Sequence, residues 1–437
     1  EYDSITVHHL LSHTSGITNG TDLAPHGAYE VWALGEQKTG YPPGKKYYYS
    51  NVGYKTLGIL LEEVLHQPLG KILKAGILDP LDMTKSYASI TLEMRKLMAM
   101  GYRSFYDDRP GHSSHPLIPA PWHEYGAGDG CIAATAADVA SYLRMIMNRG
   151  RGPRGRILSE ETFNLMTKPM IEVTKDTFYG YGLNIQKIDG YTHIGHGGGT
   201  PCYSAHILAD VDNGFGAVIL INKTGANPMQ VSVFALKLLR AILLGKDLPE
   251  VPAIKDPFMV DNAADYVGTY KTGDKSFSLV KEGNQLILEL RDKRLVLEPR
   301  GKDRFFVNHP DYSLFLLEFN REENKVVEAF YGPEWYINGL YKGPLKFEIP
   351  KELEAYVGHY RSHNPWHSNF RVILRKGVLN LVQPSGQVSP LTSLGKGVFR
   401  IGKEGDFPEI IKFDAVASGR ALRATLKGCE YPRAFTQ

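Results

Sequence analysis

Three short stretches carry side chains able to do acid–base or acyl-transfer chemistry. In Tyr47-Tyr48-Tyr49-Ser50-Asn51 a phenol stands two residues before a carboxamide, on the approach to a helix. A run of tyrosines alone would signify packing. A phenol can carry a proton, however, and a carboxamide both donates and accepts hydrogen bonds, so Tyr49 and Asn51 together suit proton transfer beside a held amide. The second stretch is His193-Ile194-Gly195-His196-Gly197-Gly198-Gly199-Thr200-Pro201. Its three consecutive glycines let a ligand approach backbone N–H groups closely, as an oxyanion site requires. A phosphate cradle is the rival reading, but no helix N-terminus follows. His193 and His196 as a metal pair lack a third ligand. In the third stretch, Ile5 to Ile17, His13 and Ser15 could be taken for a catalytic pair. Their setting, a Thr-capped short helix ending in a polar turn closed by glycine, reads instead as structure.

These residues need elements to hold them. Tyr54, Leu57, Leu61, Val64 and Leu65 recur at helical spacing, which predicts a helix starting just after Asn51. Thr135-Ala136-Ala137-Asp138 resembles a capping box opening a helix over Val139 to Met147. Tyr203 to Ala209 and Phe215 to Ile221 flank Asn213-Gly214, a hairpin signal, so helices meet an antiparallel sheet. Prolines crowd the stretch from Pro249 to Pro257, which predicts an extended linker. Beyond it, Tyr266-Val267-Gly268-Thr269-Tyr270 returns as Tyr356-Val357-Gly358-His359-Tyr360, each followed by alternating runs: Phe277 to Val280 and Leu286 to Leu290, then Phe370 to Leu374 and Val378 to Val382. Gly283-Asn284 and Lys376-Gly377 sit where hairpin turns are needed. Two related antiparallel barrels suit this spacing.

The bulk composition narrows the function classes. With 437 residues, two or three domains are expected, and 43% apolar with 22% charged residues is a globular balance. A net charge of +3, from 50 basic and 47 acidic residues, is too even to support binding to nucleic acid or to a membrane surface. Val231 to Leu244 is interrupted by Lys237 and Arg240 and is too short to span a bilayer. The three cysteines, Cys131, Cys202 and Cys429, show no metal or redox spacing and read as packing residues that leave the compartment open.

Taken in order, the motifs resemble one family, the serine β-lactamase and penicillin-binding-protein superfamily, especially its class C-like, D-aminopeptidase and esterase branches. There a serine and lysine in S-x-x-K precede Y-x-N and then K-T-G or H-x-G. Leu10-Leu11-Ser12-His13-Thr14-Ser15-Gly16, Pro43-Gly44 before Tyr49-Ser50-Asn51, the Gly130 to Asp138 stretch, and His196-Gly197-Gly198 match in order and context. The resemblance implies an α/β domain of the β-lactamase/transpeptidase type over residues 1–250, an antiparallel sheet with helices, followed by small antiparallel β-barrel modules over 258–345 and 350–437. It implies Tyr49 as the proton-shuttling phenol, Asn51 as the holder of the substrate amide, and His196 in the place of the family's strand lysine or histidine. Gly198, Gly199 and Thr200 would line the substrate, with Gly199 donating an oxyanion N–H. Cys202 departs from the glycine usual after Thr-Pro.

The larger departure concerns the nucleophile, since only four residues precede Ile5 where S-x-x-K is expected. Ser278-Leu279-Val280-Lys281 and Ser393-Leu394-Gly395-Lys396 fall after H-x-G in β-rich modules, and the Lys-Thr-Gly triplets at Lys38, Lys223 and Lys271 are out of order or context. The expectation is therefore a chain that starts downstream of its serine. A partial sequence, a processed enzyme with its N-terminal segment as a separate chain, and a non-catalytic ligand-binding homologue are the three explanations. An intact protein would be a serine hydrolase acting on an amide or ester through an acyl-enzyme, D-amino-acid peptides and small esters first. No cofactor or metal is implied. Its partners would be a small-molecule or peptide substrate, with no nucleic acid and no transmembrane span. The barrels would shape access to the site rather than do chemistry.

Overall fold

The computed structural model describes residues 2–20, 27–36, 39–130, 132–290 and 293–435. Cys131 and Lys38 lie outside the described residues. Cys429 is a buried free thiol and Cys202 a half-buried one.

The helices that bear on the site are α1 (Val7–Leu11), α2 (Ala28–Ala33), α3 (Asn51–Leu65), α4 (Ala136–Met147) and α5 (Pro228–Leu243). They surround one antiparallel sheet made of β1 (Ile171–Thr174), β2 (Thr177–Tyr179), β3 (Asn184–Ile188), β4 (Tyr191–Thr200), β5 (Tyr203–Asp210) and β6 (Phe215–Ile221), ordered β6-β5-β4-β3-β2-β1. Side chains alternate across a strand, so the two faces meet different helices. Ile194 and Ala209 join Leu143 and Ile146 of α4 in one apolar cluster. On the other face His206 meets Ser232 of α5 at 2.7 Å, and Asp210 meets Arg240 at 2.6 Å. Asn213-Gly214 does end a hairpin, but Phe215 pairs with Asp210, so the loop has four residues; the Asp210 carboxylate accepts the Asn213 N–H at 3.0 Å.

The helix after the Tyr-x-Asn motif forms as its periodicity predicts. Ser50 caps it, its Oγ accepting the Gly53 N–H at 3.0 Å. At α4 only half of the expected capping box is made. Thr135 Oγ1 accepts the Asp138 N–H, while the Asp138 carboxylate turns to the Lys85 N–H and the Ser86 hydroxyl, both at 2.7 Å. A tertiary partner has displaced the local one. α5 has 16 residues, and no described helix is long and apolar enough to cross a membrane.

Two closed eight-stranded barrels follow, the first from Gly268–Thr272 to Glu334–Ile337 and the second from Gly358–Arg361 to Cys429–Ala434. The repeated Tyr-Val-Gly-x-Tyr explains itself in both. The second tyrosine folds back to donate to the carbonyl of the first, Tyr270 to Tyr266 at 2.9 Å and Tyr360 to Tyr356 at 2.8 Å. Each ring then stacks on the next strand, on Phe277 and Phe370 respectively. Gly283-Asn284 and Lys376-Gly377 make the two-residue turns; Lys376 and Gly377 both have positive φ, as a type I′ turn demands. The false Ser-x-x-Lys matches lie on or at the ends of barrel strands, Ser278 and Lys281 within Lys275–Glu282 and Ser393 in Val388–Gly395.

The barrels do not hang free from the linker. Residues 105–116, between the paired strands Tyr102–Ser104 and Leu117–Pro119, grip both of them. Asp107 pairs with Arg361 at 2.9 Å, Arg109 donates to Ser313 at 3.1 Å, and His112 contacts Glu298 at 2.8 Å while stacking on Phe306. Between the barrels, Lys376 reaches the buried Glu328 at 2.6 Å.

Candidate active site

His13 lies at the centre of the aromatic cluster that holds Tyr49. It takes a left-handed conformation, φ 54°, just past the end of α1. Gly16, φ 76°, then lets the chain turn back: a Cβ there would lie 2.3 Å from the Tyr41 carbonyl oxygen. This reversal carries the His13 side chain under the Tyr-x-Asn loop, where its Nδ1 accepts the Ser50 N–H at 3.1 Å. Its ring lies 4.1 Å from that of Tyr49 and 4.9 Å from those of Tyr54 and Tyr179, centroid to centroid. Burial, helped by nearby His196, lowers the His13 pKa to about 3, so this imidazole is neutral at physiological pH. The local turn is structural, as its sequence implies; its packing against Tyr49 comes from residues 30 and more positions away.

Tyr49 and His196 come together from opposite ends of the domain. Their rings are stacked at 6.3 Å, and His196 Nε2 is 3.1 Å from the hydroxyl of the buried Tyr179 on β2. Burial lowers the His196 pKa as well, which makes it a neutral hydrogen-bonding group rather than a fixed cation. His193, an odd number of residues away, faces the other side of the sheet, where Arg240 donates to its Nε2 at 2.9 Å. The two histidines therefore cannot share an ion, and among the described residues no group of His, Cys, Asp or Glu is arranged to hold a metal.

Asn51 opens α3 beside Tyr49. Its Nδ2 donates to Asn19 Oδ1 at 3.2 Å, and Asn19 Nδ2 donates to the Tyr49 carbonyl at 3.1 Å. One carboxamide thus fastens both motif residues. Asn19 carries no sequence signal, since its partners lie some thirty residues on.

Gly198, Gly199 and Thr200 form the exposed end of β4. On one side β5 pairs with β4 all the way to Thr200, where the Thr200 hydroxyl accepts the Tyr203 N–H and closes a two-residue turn at Pro201-Cys202. On the other side β3 pairs with β4 only as far as Gly195. From His196 onward no described strand covers that edge, and a Cβ built at Gly199 meets no atom within 4 Å. The backbone beside Tyr49 is thus open to an extended group.

Known proteins resemble this chain in sequence. A sequence profile of the Beta-lactamase family matches residues 1–241. Penicillin-binding protein 4* of Bacillus subtilis is 26% identical over 334 residues, covering 70% of this chain and 72% of that protein. Penicillin-binding protein 4 of Amycolatopsis lactamdurans is 27% identical over 284 residues, 61% of this chain and 72% of its own. Among solved structures, an octameric penicillin-binding protein homologue from Pyrococcus abyssi superposes with a TM-score of 0.49 at 26% identity, covering 76% of this chain and 78% of that one. With the family profile spanning more than half of the sequence, and with Tyr-x-Asn and His-x-Gly facing each other across one site, the chain belongs to the serine β-lactamase and penicillin-binding-protein superfamily.

Proposed function

We propose that Tyr49, Asn51 and His196 form the proton-transfer and substrate-holding part of a serine acyl-transfer site, completed by a serine and lysine outside residues 1–437. The observation that carries this reading is the Tyr49 ring held between two neutral imidazoles, His13 and His196, beside the uncovered edge of β4. In the reaction, a serine hydroxyl adds to an amide or ester carbonyl, and Tyr49 passes the serine proton to the departing amine or alcohol. Water then releases the acyl group by the reverse proton path. Gly199 offers a backbone N–H to the developing oxyanion and Asn51 holds the substrate amide. An uncovered strand edge favours an extended, peptide-like substrate over a compact ester. Among such substrates, D-amino-acid peptides are the class that the family resemblance puts first.

Two measurements test the proposal. In protein carrying an upstream S-x-x-K segment, Tyr49→Phe is expected to lower kcat about 100-fold or more with the fold unchanged, the usual scale of acid–base catalysis. Incubated with a fluorophosphonate or penicillin probe, the 437-residue chain should gain no mass, and the extended protein should be labelled at the serine of that segment. Labelling of the short chain at one serine, or none in either protein, overturns the reading.

A further inference from the structure

A single carboxylate in the second barrel stands behind both motif residues. Glu409, in the loop that leads into the strand Ile410–Ala417, is 3% exposed, although it comes from a different module. Its Oε1 accepts the Asn19 N–H at 2.8 Å and the Tyr48 hydroxyl at 2.7 Å, and its Oε2 accepts the Thr18 hydroxyl at 2.9 Å. Hydrogen bonds to a buried carboxylate are stronger than those between neutral groups, and losing the acceptor strands every donor. Each of the three donors leads straight to the site. Asn19 holds the Tyr49 carbonyl and the Asn51 side chain, and its own carbonyl accepts the Val52 N–H at 3.1 Å. Thr18 offers its carbonyl to the hydroxyl of Ser50, the cap of α3, at 2.7 Å. Tyr48 precedes Tyr49 and meets Phe407 of the same barrel loop edge to face at 5.2 Å. Burial and the adjacent Glu409 raise the Tyr48 pKa, so its proton stays on the phenol as a donor.

We infer that Glu409 is a positioning residue for the reaction: through Asn19, Thr18 and Tyr48 the second barrel sets the height of the Tyr49 phenol and the Asn51 carboxamide. The inference rests on the roles proposed above for Tyr49 and Asn51. It makes the barrel a structural part of the site, beyond shaping access to it. The same loop also carries ordinary adhesion. Asp406 pairs with Lys46 at 2.8 Å and lies 3.8 Å from Lys45, at the surface and with no bond to Thr18, Asn19 or Tyr48. Asp406 therefore separates docking from positioning.

The test uses the full protein with its upstream segment, as wild type and as Glu409→Ala, Glu409→Gln, Tyr48→Phe and Asp406→Asn. Ester or D-peptide turnover is read as kcat and KM, and amide hydrogen exchange is followed in peptides over 12–20 and 44–54. Glu409→Ala is expected to lower kcat about 10-fold or more, with KM changed less than about 3-fold, the pattern of a misplaced reacting group. The Asn19 and Val52 amides should exchange faster. Glu409→Gln, whose carbonyl still accepts from Asn19 and Tyr48 while its amide donates to Thr18, should recover most of both signals. Asp406→Asn should leave both unchanged. If Glu409→Ala does not fold, Tyr48→Phe, which removes one donor, should still speed exchange at Asn19. Wild-type exchange and turnover in folded Glu409→Ala overturn the inference, as do equal losses in Glu409→Ala and Asp406→Asn. If the protein turns over no substrate, the proposed function fails, while the exchange data still decide whether Glu409 orders the loop.

Discussion

The two barrels share an opening motif, a strand count and a tyrosine fold-back, yet they face different neighbours. The corresponding residue before the sixth strand shows the divergence. In the first barrel it is Leu316, 3% exposed and packed where a Cβ on Gly386 of the second barrel would come within 2.5 Å of it. In the second barrel it is Glu409, bound to the loops beneath Tyr49. The repeat preserves what closes a barrel, namely alternating apolar strands and tight turns, while its loops are free to take up separate work. The first barrel packs against the second through Glu328 and Lys376, and the second reaches the loops beneath Tyr49 through Glu409.

That contrast yields three measurements. The largest effect belongs to Leu316→Ala, which opens a cavity at the seam between barrels and is expected to cost about 2–5 kcal/mol in urea unfolding. Exchange at Asn19 and Val52 should stay as in wild type; a faster rate there would mean that the first barrel also reaches the site.

The next effect is pH-dependent. Burial lowers His13, beneath Tyr49, to about 3 and His367, which lines a cavity with Tyr48 and Glu409, to about 4. In the unfolded chain both return to about 6.5 and take up protons that the folded protein refuses. Their stabilisation is therefore complete above about pH 6.5. It falls by about 1.4 kcal/mol per pH unit for each histidine as pH drops toward 4. His13→Asn and His367→Gln should each flatten the stability–pH curve by that slope over this window. A curve that keeps its slope would remove these histidines from the account.

The smallest effect tests what the barrels share. Tyr270→Phe and Tyr360→Phe each delete one buried hydroxyl bonded to a carbonyl four residues back, and each is expected to cost about 1–2 kcal/mol. Costs that differ by more than about 1 kcal/mol would show that the motif does different work in the two barrels.

Much of this was readable from the chain. Short motifs singled out Tyr49 and His196, whose rings the fold brings together, α3 was legible in its periodicity, and both barrels in a repeat whose second tyrosine has a local partner. What escaped has one physical cause: burial of a polar group is decided by distant partners. Asp138 follows a threonine as a capping residue does, yet Lys85 and Ser86 claim its carboxylate. His13 is a turn residue by its neighbours and the floor of the site by its contacts. Asn19 and Glu409 look like any loop amide and loop acid, because nothing within ten residues of either tells that they meet.

Thr18 and Glu409 are 391 residues apart in sequence. At the usual ~5–20 residues per second of translation, roughly 20–80 s pass between their emergence from the ribosome. Throughout that interval the loop carrying Tyr49 has only its nearer neighbours to hold it. The second barrel supplies the missing carboxylate, so the order of synthesis leaves the Tyr49 loop without that support until Glu409 has emerged.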